Sequence, residues 1–197
     1  MAYEAKPLPF SKALQGISDK TMQIHHDKLY QGYVNKRNEI EEKLVSADRS
    51  AANATYSEYG EMKREESFAS NGVILHEYYF NVLGGEGGEA TGEIREAIEK
   101  DFGSYEAWVE DFKAAGMVAR GWVVLAYDYN TGKLHNYVCD AHNQGGIWGA
   151  KPILVLDVYE HAYFIDYGSD RKKYIEDYFA NLNWENANDL YKNPIKI

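Results

Sequence analysis

The residues best able to do chemistry lie at the end of an apolar run, Ile153-Leu154-Val155-Leu156, which has the texture of a buried strand. Asp157 follows it directly and His161 comes four residues later, on the same face if the turn is helical. A carboxylate leaving a buried strand is costly unless a cation or hydrogen-bond donors meet it. An Asp and a His at this spacing are, on their own, most often a surface pair. Two further histidines change that reading. His25 shares a stripe with Met22, Leu29 and Gly32, and His76 shares one with Gly72, Tyr79, Phe80 and Leu83. A single histidine on an apolar face is ordinarily a satisfied core residue. Two such histidines on facing helices, with an Asp-xxx-His at a strand end, could instead converge. Three imidazoles and one carboxylate suit a first-row transition metal, whereas magnesium and calcium prefer oxygen alone. His135, in mid-strand, and His26, on another face from His25, read as surface residues.

The elements that must position these residues follow in order. Tyr3 to Phe10 is an extended arm with Pro7 and Pro9. Ser18 is an N-cap, and Met22, His25, Leu29, Gly32, Tyr33, Lys36 and Ile40 keep helical spacing to about Leu44. After a polar link over residues 46–55, a second long helix is expected from Tyr56 to Leu83, forming an antiparallel hairpin with the first. Gly84-Gly85-Glu86-Gly87-Gly88 is a hinge, and it places the boundary between a helical domain 1–86 and a mixed α/β domain 87–197. No Gly-Lys-Ser/Thr follows, so it is not a phosphate loop. Helices are expected over Glu93–Lys100 and, capped by Ser104, over Tyr105–Arg120. Strands are expected over Trp122–Tyr127, Lys133–Cys139 and Ile153–Val158, the first two joined by a turn at Asp128-Tyr129-Asn130-Thr131-Gly132. Helices return over Lys172–Asn181 and Asn186–Tyr191. The fold class is therefore α+β, a helical hairpin followed by an α/β unit with a three-stranded antiparallel sheet.

Composition narrows the partners. The net charge of −10 disfavours nucleic acid, and an anionic substrate would need a local positive field. The single cysteine, Cys139, excludes an internal disulfide and a CxxC metal knuckle, and it fits a reducing cytoplasm. Met1 to Phe10 lacks the apolar core of a signal peptide, and no run reaches the length of a membrane span. The 17 tyrosines and four tryptophans suggest aromatic packing about a central feature.

Asp157-Val158-Tyr159-Glu160-His161-Ala162-Tyr163 resembles the Asp-x-Trp-Glu-His-Ala-Tyr signature of the iron/manganese superoxide dismutases. The arm Tyr3–Phe10, Ile24-His25-His26-x-Lys28, Gln31-x-Tyr33-Val34-Asn35, Gly84–Ile94 and Asn183-Trp184-Glu185 agree with that family in order. The resemblance implies that His25, His76, Asp157 and His161 bind one manganese or iron ion per chain, and that the substrate is superoxide. It makes Tyr33 the active-site tyrosine, Trp122 a packing residue beside the metal and Tyr163 a support for the site. It also implies a homodimer in which Glu160 reaches the partner's His161. The chain departs from the pattern at Leu29, where a funnel histidine is usual, and at Tyr159, Arg120 and Val124.

Gly72 lies where iron-preferring members often carry a glutamine. The donor to the centre then comes from the hairpin after the second strand. An ungapped count gives His142, a shift of two gives Gln144, and His142 is preferred, with a lean to manganese. Lys28 and Arg171 are the basic residues expected near the funnel, where steering matters in a reaction close to the diffusion limit. Residues 29 and 33 should share a helix face, with Tyr30 turned away by about 100°, so Tyr33 should carry proton delivery beside an apolar wall. Two other readings remain open. One is a mononuclear non-haem iron enzyme, for which four protein ligands leave little room. The other is a metal-binding relative whose funnel changes have ended catalysis.

Overall fold

The computed structural model describes residues 2–193. Helix α1 is α-helical over Asp19–Ile24, π-helical over His25–Tyr30 and α-helical again over Gln31–Ser46. Ser18 caps it as expected, its side chain accepting from the Thr21 N–H. Helix α2 is Glu58–Asn81, capped by Ser57, and it packs against α1 as the second arm of the hairpin. Helices α3 (Gly92–Phe102) and α4 (Tyr105–Val118) follow, the latter capped by Ser104. Strands β1 (Trp122–Asp128), β2 (Lys133–Cys139) and β3 (Ala150–Asp157) form one antiparallel sheet in the order β2-β1-β3. A short turn of 3-10 helix at Glu160–Ala162 leads to α5 (Phe164–Tyr167), α6 (Arg171–Ala180) and α7 (Trp184–Lys192). No helix among the described residues is long and apolar enough to cross a membrane.

The expected α+β architecture is present, but the phase of α1 is not the expected one. The Gln31 N–H bonds back to the His26 carbonyl, five residues earlier, so the helix carries one extra residue. Just beyond that point the buried positions move by one, although Ile40 further along is buried as expected. Tyr30 and Val34 enter the core, whereas Gly32 and Lys36 are exposed and Leu29 is only half-buried. A stripe drawn at constant 3.6-residue period fails here because the helix does not keep that period. Tyr30, expected to turn away, is 1% exposed and donates to Glu77 Oε1 at 2.8 Å.

Strand β3 begins at Ala150, earlier than expected, and ends at Asp157 rather than at Val158. The early part is hidden from sequence by Pro152, which cannot donate to a ladder. It is tolerated because β3 is an edge strand and the register slips beside it: Leu125 pairs with Leu154 but Ala126 with Pro152. The glycine run at residues 84–88 is packed against the C-terminal segment. The Gly85 and Gly87 N–H groups donate to the Asn181 and Leu182 carbonyls, both at 3.0 Å. A Cβ on Gly85 would lie 2.1 Å from the Leu182 carbonyl oxygen, so only glycine allows this approach. Helix α2 lies across β3, and α7 backs the same strand. The four candidate ligands sit where α1, α2 and the end of β3 meet.

Candidate metal centre

Each side chain is aimed by its own element. Asp157 is the last residue of β3, opposite Trp122 of β1. Its backbone carbonyl accepts from Tyr174 Oη at 2.7 Å, and its Oδ1 accepts from the Tyr159 N–H at 2.9 Å. One carboxylate oxygen is therefore occupied and the other, Oδ2, faces the histidines. The Nε2 atoms of His25, His161 and His76 surround Oδ2 at 3.0, 3.2 and 3.8 Å. Ligand atoms held about 2.1 Å from a common ion lie about 3–3.6 Å apart at ordinary coordination angles. The four side chains offer donor atoms all within 4.8 Å of one another. His25, His76 and Asp157 are fully buried, and His161 retains 29% side-chain exposure.

The hydrogen bonds behind this cluster fix which nitrogens are free. His76 Nδ1 lies 2.5 Å from the Gly72 carbonyl oxygen, so it carries the proton and leaves the Nε2 lone pair pointing inward. That Nε2 and His25 Nδ1 are buried without a protein partner, a costly state unless something else meets at least the inward-facing nitrogen. Burial pushes the His25 and His76 imidazoles down, keeping both neutral, as metal ligands must be. Burial also pushes the Asp157 carboxyl up, but His161 and His25 more than reverse this and leave it well below the carboxylate range. Burial lowers His161 too, and the neighbouring Asp157 charge outweighs it in the upward direction. The residues fit a divalent or trivalent transition ion.

The two residues weighed as the outer donor are separated by burial. His142 is 4% exposed, and its ring lies 4.7 Å from that of Tyr33 and 6.0 Å from that of His76. Trp122 Nε1, which can only donate, gives its hydrogen to His142 Nδ1 at 2.9 Å. In the neutral ring the proton then sits on Nε2, a buried donor with no protein partner. Burial pushes this imidazole down to about 4, so the neutral form holds at pH 7. Gln144 is exposed on the loop after β2, where its N–H closes a turn to the Ala141 carbonyl.

Tyr33 lies over His76 with ring centroids 5.3 Å apart, and burial raises its hydroxyl to about 12. A Cβ at Gly72 would meet the Tyr33 ring at 2.7 Å, so this tyrosine occupies the place a side chain at 72 would need. Trp122 packs edge-on to His76 at 5.0 Å. Tyr159 stacks on His161 at 5.5 Å, and Tyr163 accepts from Arg171 Nε at 3.2 Å. Arg171 also donates to the Ala119 carbonyl and lines an open depression with Arg120, Glu160 and His161. Lys28 is exposed and does not line that depression.

Residues 2–84 match the family described as iron/manganese superoxide dismutases, alpha-hairpin domain, and residues 90–190 match the C-terminal domain of the same family. The chain belongs to the iron/manganese superoxide dismutases. It is 44% identical to the superoxide dismutase [Fe] of Aquifex pyrophilus, over 93% of this chain and 88% of that protein. It is 40% identical to the superoxide dismutase [Mn] 2 of Haloferax volcanii, over 100% of this chain and 99% of that one. Family membership thus brings iron or manganese and superoxide together with the three-histidine, one-aspartate cluster.

Sequence reasoning did not find the support beneath this superoxide dismutase site. Glu77, adjoining His76, is 8% exposed and accepts from Tyr3 Oη at 2.7 Å, Tyr30 Oη at 2.8 Å and Lys6 Nζ at 2.7 Å. These bonds tie the N-terminal arm to both helices of the hairpin. His26, expected at the surface, is half-buried in the same region, with Nε2 2.8 Å from the Lys6 carbonyl oxygen. A carboxylate among apolar residues of α2 was the available signal, since a buried charge requires partners.

Proposed function

We propose that the chain converts superoxide to dioxygen and hydrogen peroxide using one manganese or iron ion held by His25, His76, Asp157 and His161. The observation that carries this reading is the ring of three imidazole Nε2 atoms about Asp157 Oδ2, two of the three histidines being fully buried. An iron or manganese ion held by these four side chains would supply the one-electron redox exchange that superoxide disproportionation needs. Asp157 contributes the single anionic ligand, so the charge of the centre stays incompletely cancelled and favours a small anion. Arg171, beside His161, adds positive potential on a chain of net charge −10.

Product release needs two protons for each peroxide. His142 holds one at Nε2, buried and without a protein partner, and Tyr33 holds one at Oη. His142 rather than Gln144 is the donor in this scheme. Leu29, half-buried on α1, is an apolar wall without a proton to give. Manganese is favoured because Tyr33 fills the space beside Gly72, so that the donor comes from the hairpin side. The two units, 1–86 and 87–197, each supply two ligands, and a homodimer through Glu160 and His161 in the cytoplasm completes the assignment.

His76→Ala should lose stoichiometric metal in elemental analysis, together with superoxide consumption. Full metal retention by that variant would remove His76 from the ligand set. Wild-type protein that holds one ion per chain yet consumes no superoxide would instead favour a catalytically impaired relative, for which Leu29 is the motivating departure.

A further inference from the structure

The chain has 17 tyrosines, and the proposed reaction uses one of them, Tyr33. Three others form a line that starts at a candidate ligand and ends at the surface. The ring of Tyr79, on α2, lies against that of His25, with centroids 5.0 Å apart and planes tilted by 36°. Its hydroxyl is 3.1 Å from that of Tyr174 on α6. Tyr174 Oη donates to the Asp157 carbonyl at 2.7 Å, so its one proton is committed and Tyr79 is the donor of the pair. Both tyrosines are fully buried. The Tyr174 ring then meets that of Tyr167, the last residue of α5, with centroids 5.7 Å apart. Tyr167 is partly exposed.

The outer end of the line differs from its middle in what accepts the phenolic proton. Tyr167 Oη donates to the carboxylate Oδ2 of Asp177 at 3.0 Å, whereas the inner acceptors are a hydroxyl and a peptide carbonyl. Phenols give up an electron far more readily than imidazoles, and a phenol that has lost one becomes a strong acid. A carboxylate can keep the released proton, and a hydroxyl or a carbonyl cannot. Asp177 is 4% exposed and is held by Lys173 Nζ at 2.8 Å and Gln15 Nε2 at 3.3 Å, partners that a buried carboxylate requires. An electron vacancy entering this line therefore comes to rest on Tyr167, where solvent can reach it.

We propose that Tyr79, Tyr174 and Tyr167 drain oxidising equivalents from the centre and so spare its histidines. This rests on the superoxide dismutase reading, in which hydrogen peroxide is made beside a redox-active ion. Peroxide that receives one electron from reduced iron splits into hydroxide and a hydroxyl radical. The radical takes an electron from the site and becomes hydroxide. Electrons then move inward from Tyr79, Tyr174 and Tyr167 in turn, and the Tyr167 proton passes to Asp177. In sum, a hydroxyl radical, a phenol and a carboxylate give hydroxide, a phenoxyl radical and a carboxylic acid. A thiol or ascorbate in solvent returns the electron to Tyr167, and Asp177 returns the proton.

Iron-loaded protein, reduced without oxygen and mixed with hydrogen peroxide, tests this. Freeze-quench electron paramagnetic resonance should show a tyrosyl radical, narrowed by ring-deuterated tyrosine, and a nitroso spin trap should mark Tyr167 in peptide mass spectra. Tyr79→Phe should lose the signal. Tyr167→Phe should keep iron content and superoxide consumption, lose the long-lived radical and raise oxygen addition at His25 several-fold. Asp177→Asn, which keeps the phenol but removes its acceptor, should shorten the life of the radical. A tryptophan radical in the wild type, or unchanged His25 oxidation in Tyr167→Phe, would overturn the proposal. So would loss of the signal in Tyr30→Phe rather than Tyr167→Phe, since Tyr30 donates to Glu77 as the rival phenol–carboxylate pair. Failure of the underlying reading looks different. The wild type would then bind no iron or consume no superoxide before peroxide is added, and the proposal would fall with it.

Discussion

At the scale of single residues, the site depends on a few protons being in fixed places. Gly72 holds the His76 Nδ1 proton and Trp122 forces the His142 proton onto Nε2. Tyr33, raised to about 12, stays protonated throughout the physiological range and is a reserve rather than a titrating group. Tyr33→Phe should therefore keep full metal content and slow the peroxide-forming half-reaction by about 10-fold or more, less than the full range for a general acid because water substitutes in part. Pulse radiolysis resolves that phase, and unchanged rates in every phase would assign proton delivery elsewhere. The candidate ligands were legible because each occupies a patterned position, two on apolar helix faces and two at a strand end. Glu77 and Tyr30 were not legible as a pair. They are 47 residues apart, and only the packing of α1 on α2 brings their oxygens to 2.8 Å.

At the scale of elements, caps and turns were read well and phase was read poorly. Ser18 and Ser104 cap helices through their side chains as expected, the local chemistry that sequence exposes most directly, whereas Ser57, which caps α2, lay inside the helix expected from Tyr56. The π-helical segment has no such marker, and Pro152 concealed the start of β3. The end of α1 that precedes the π turn is also held from a distance. Asp166 of α5 accepts from the Ser18 N–H at 2.9 Å and from Thr21 Oγ1 at 2.7 Å. Burial pushes the Asp166 carboxyl up, but these two donors outweigh it and leave it below the ordinary range. A depressed carboxylate stabilises the fold above its unfolded value, about 3.9, and the contribution fades as pH falls through the folded value. Asp166→Asn should thus cost about 1–2 kcal/mol at pH 7, with the difference from wild type closing below about pH 4. Urea unfolding at several pH values measures it, and a pH-independent deficit would point to packing rather than charge.

At the scale of the whole molecule, the exposed edge of the centre faces a surface that invites cover. Glu160 is exposed, His161 partly so, and Val118 and Phe164 nearby are 71% and 54% exposed. In the proposed homodimer, Glu160→Ala would leave the partner's imidazole without an acceptor. Losing one member of a buried charged hydrogen bond typically costs about 2–5 kcal/mol, so the variant should be largely monomeric at micromolar concentration, with lower activity. Unchanged dimerisation on sedimentation would remove Glu160 from the contact. The spread of the ligands along the chain has a consequence of another kind, one of timing during synthesis. His25 and His76 leave the ribosome in a hairpin that can form early, but Asp157 lies 81 residues beyond His76 in the chain, with His161 just after it. At roughly 5–20 residues per second, the two imidazoles wait for seconds before the carboxylate exists. Ions that favour nitrogen ligands alone meet the nascent chain first. Selection of iron or manganese can begin only after the last strand has been made.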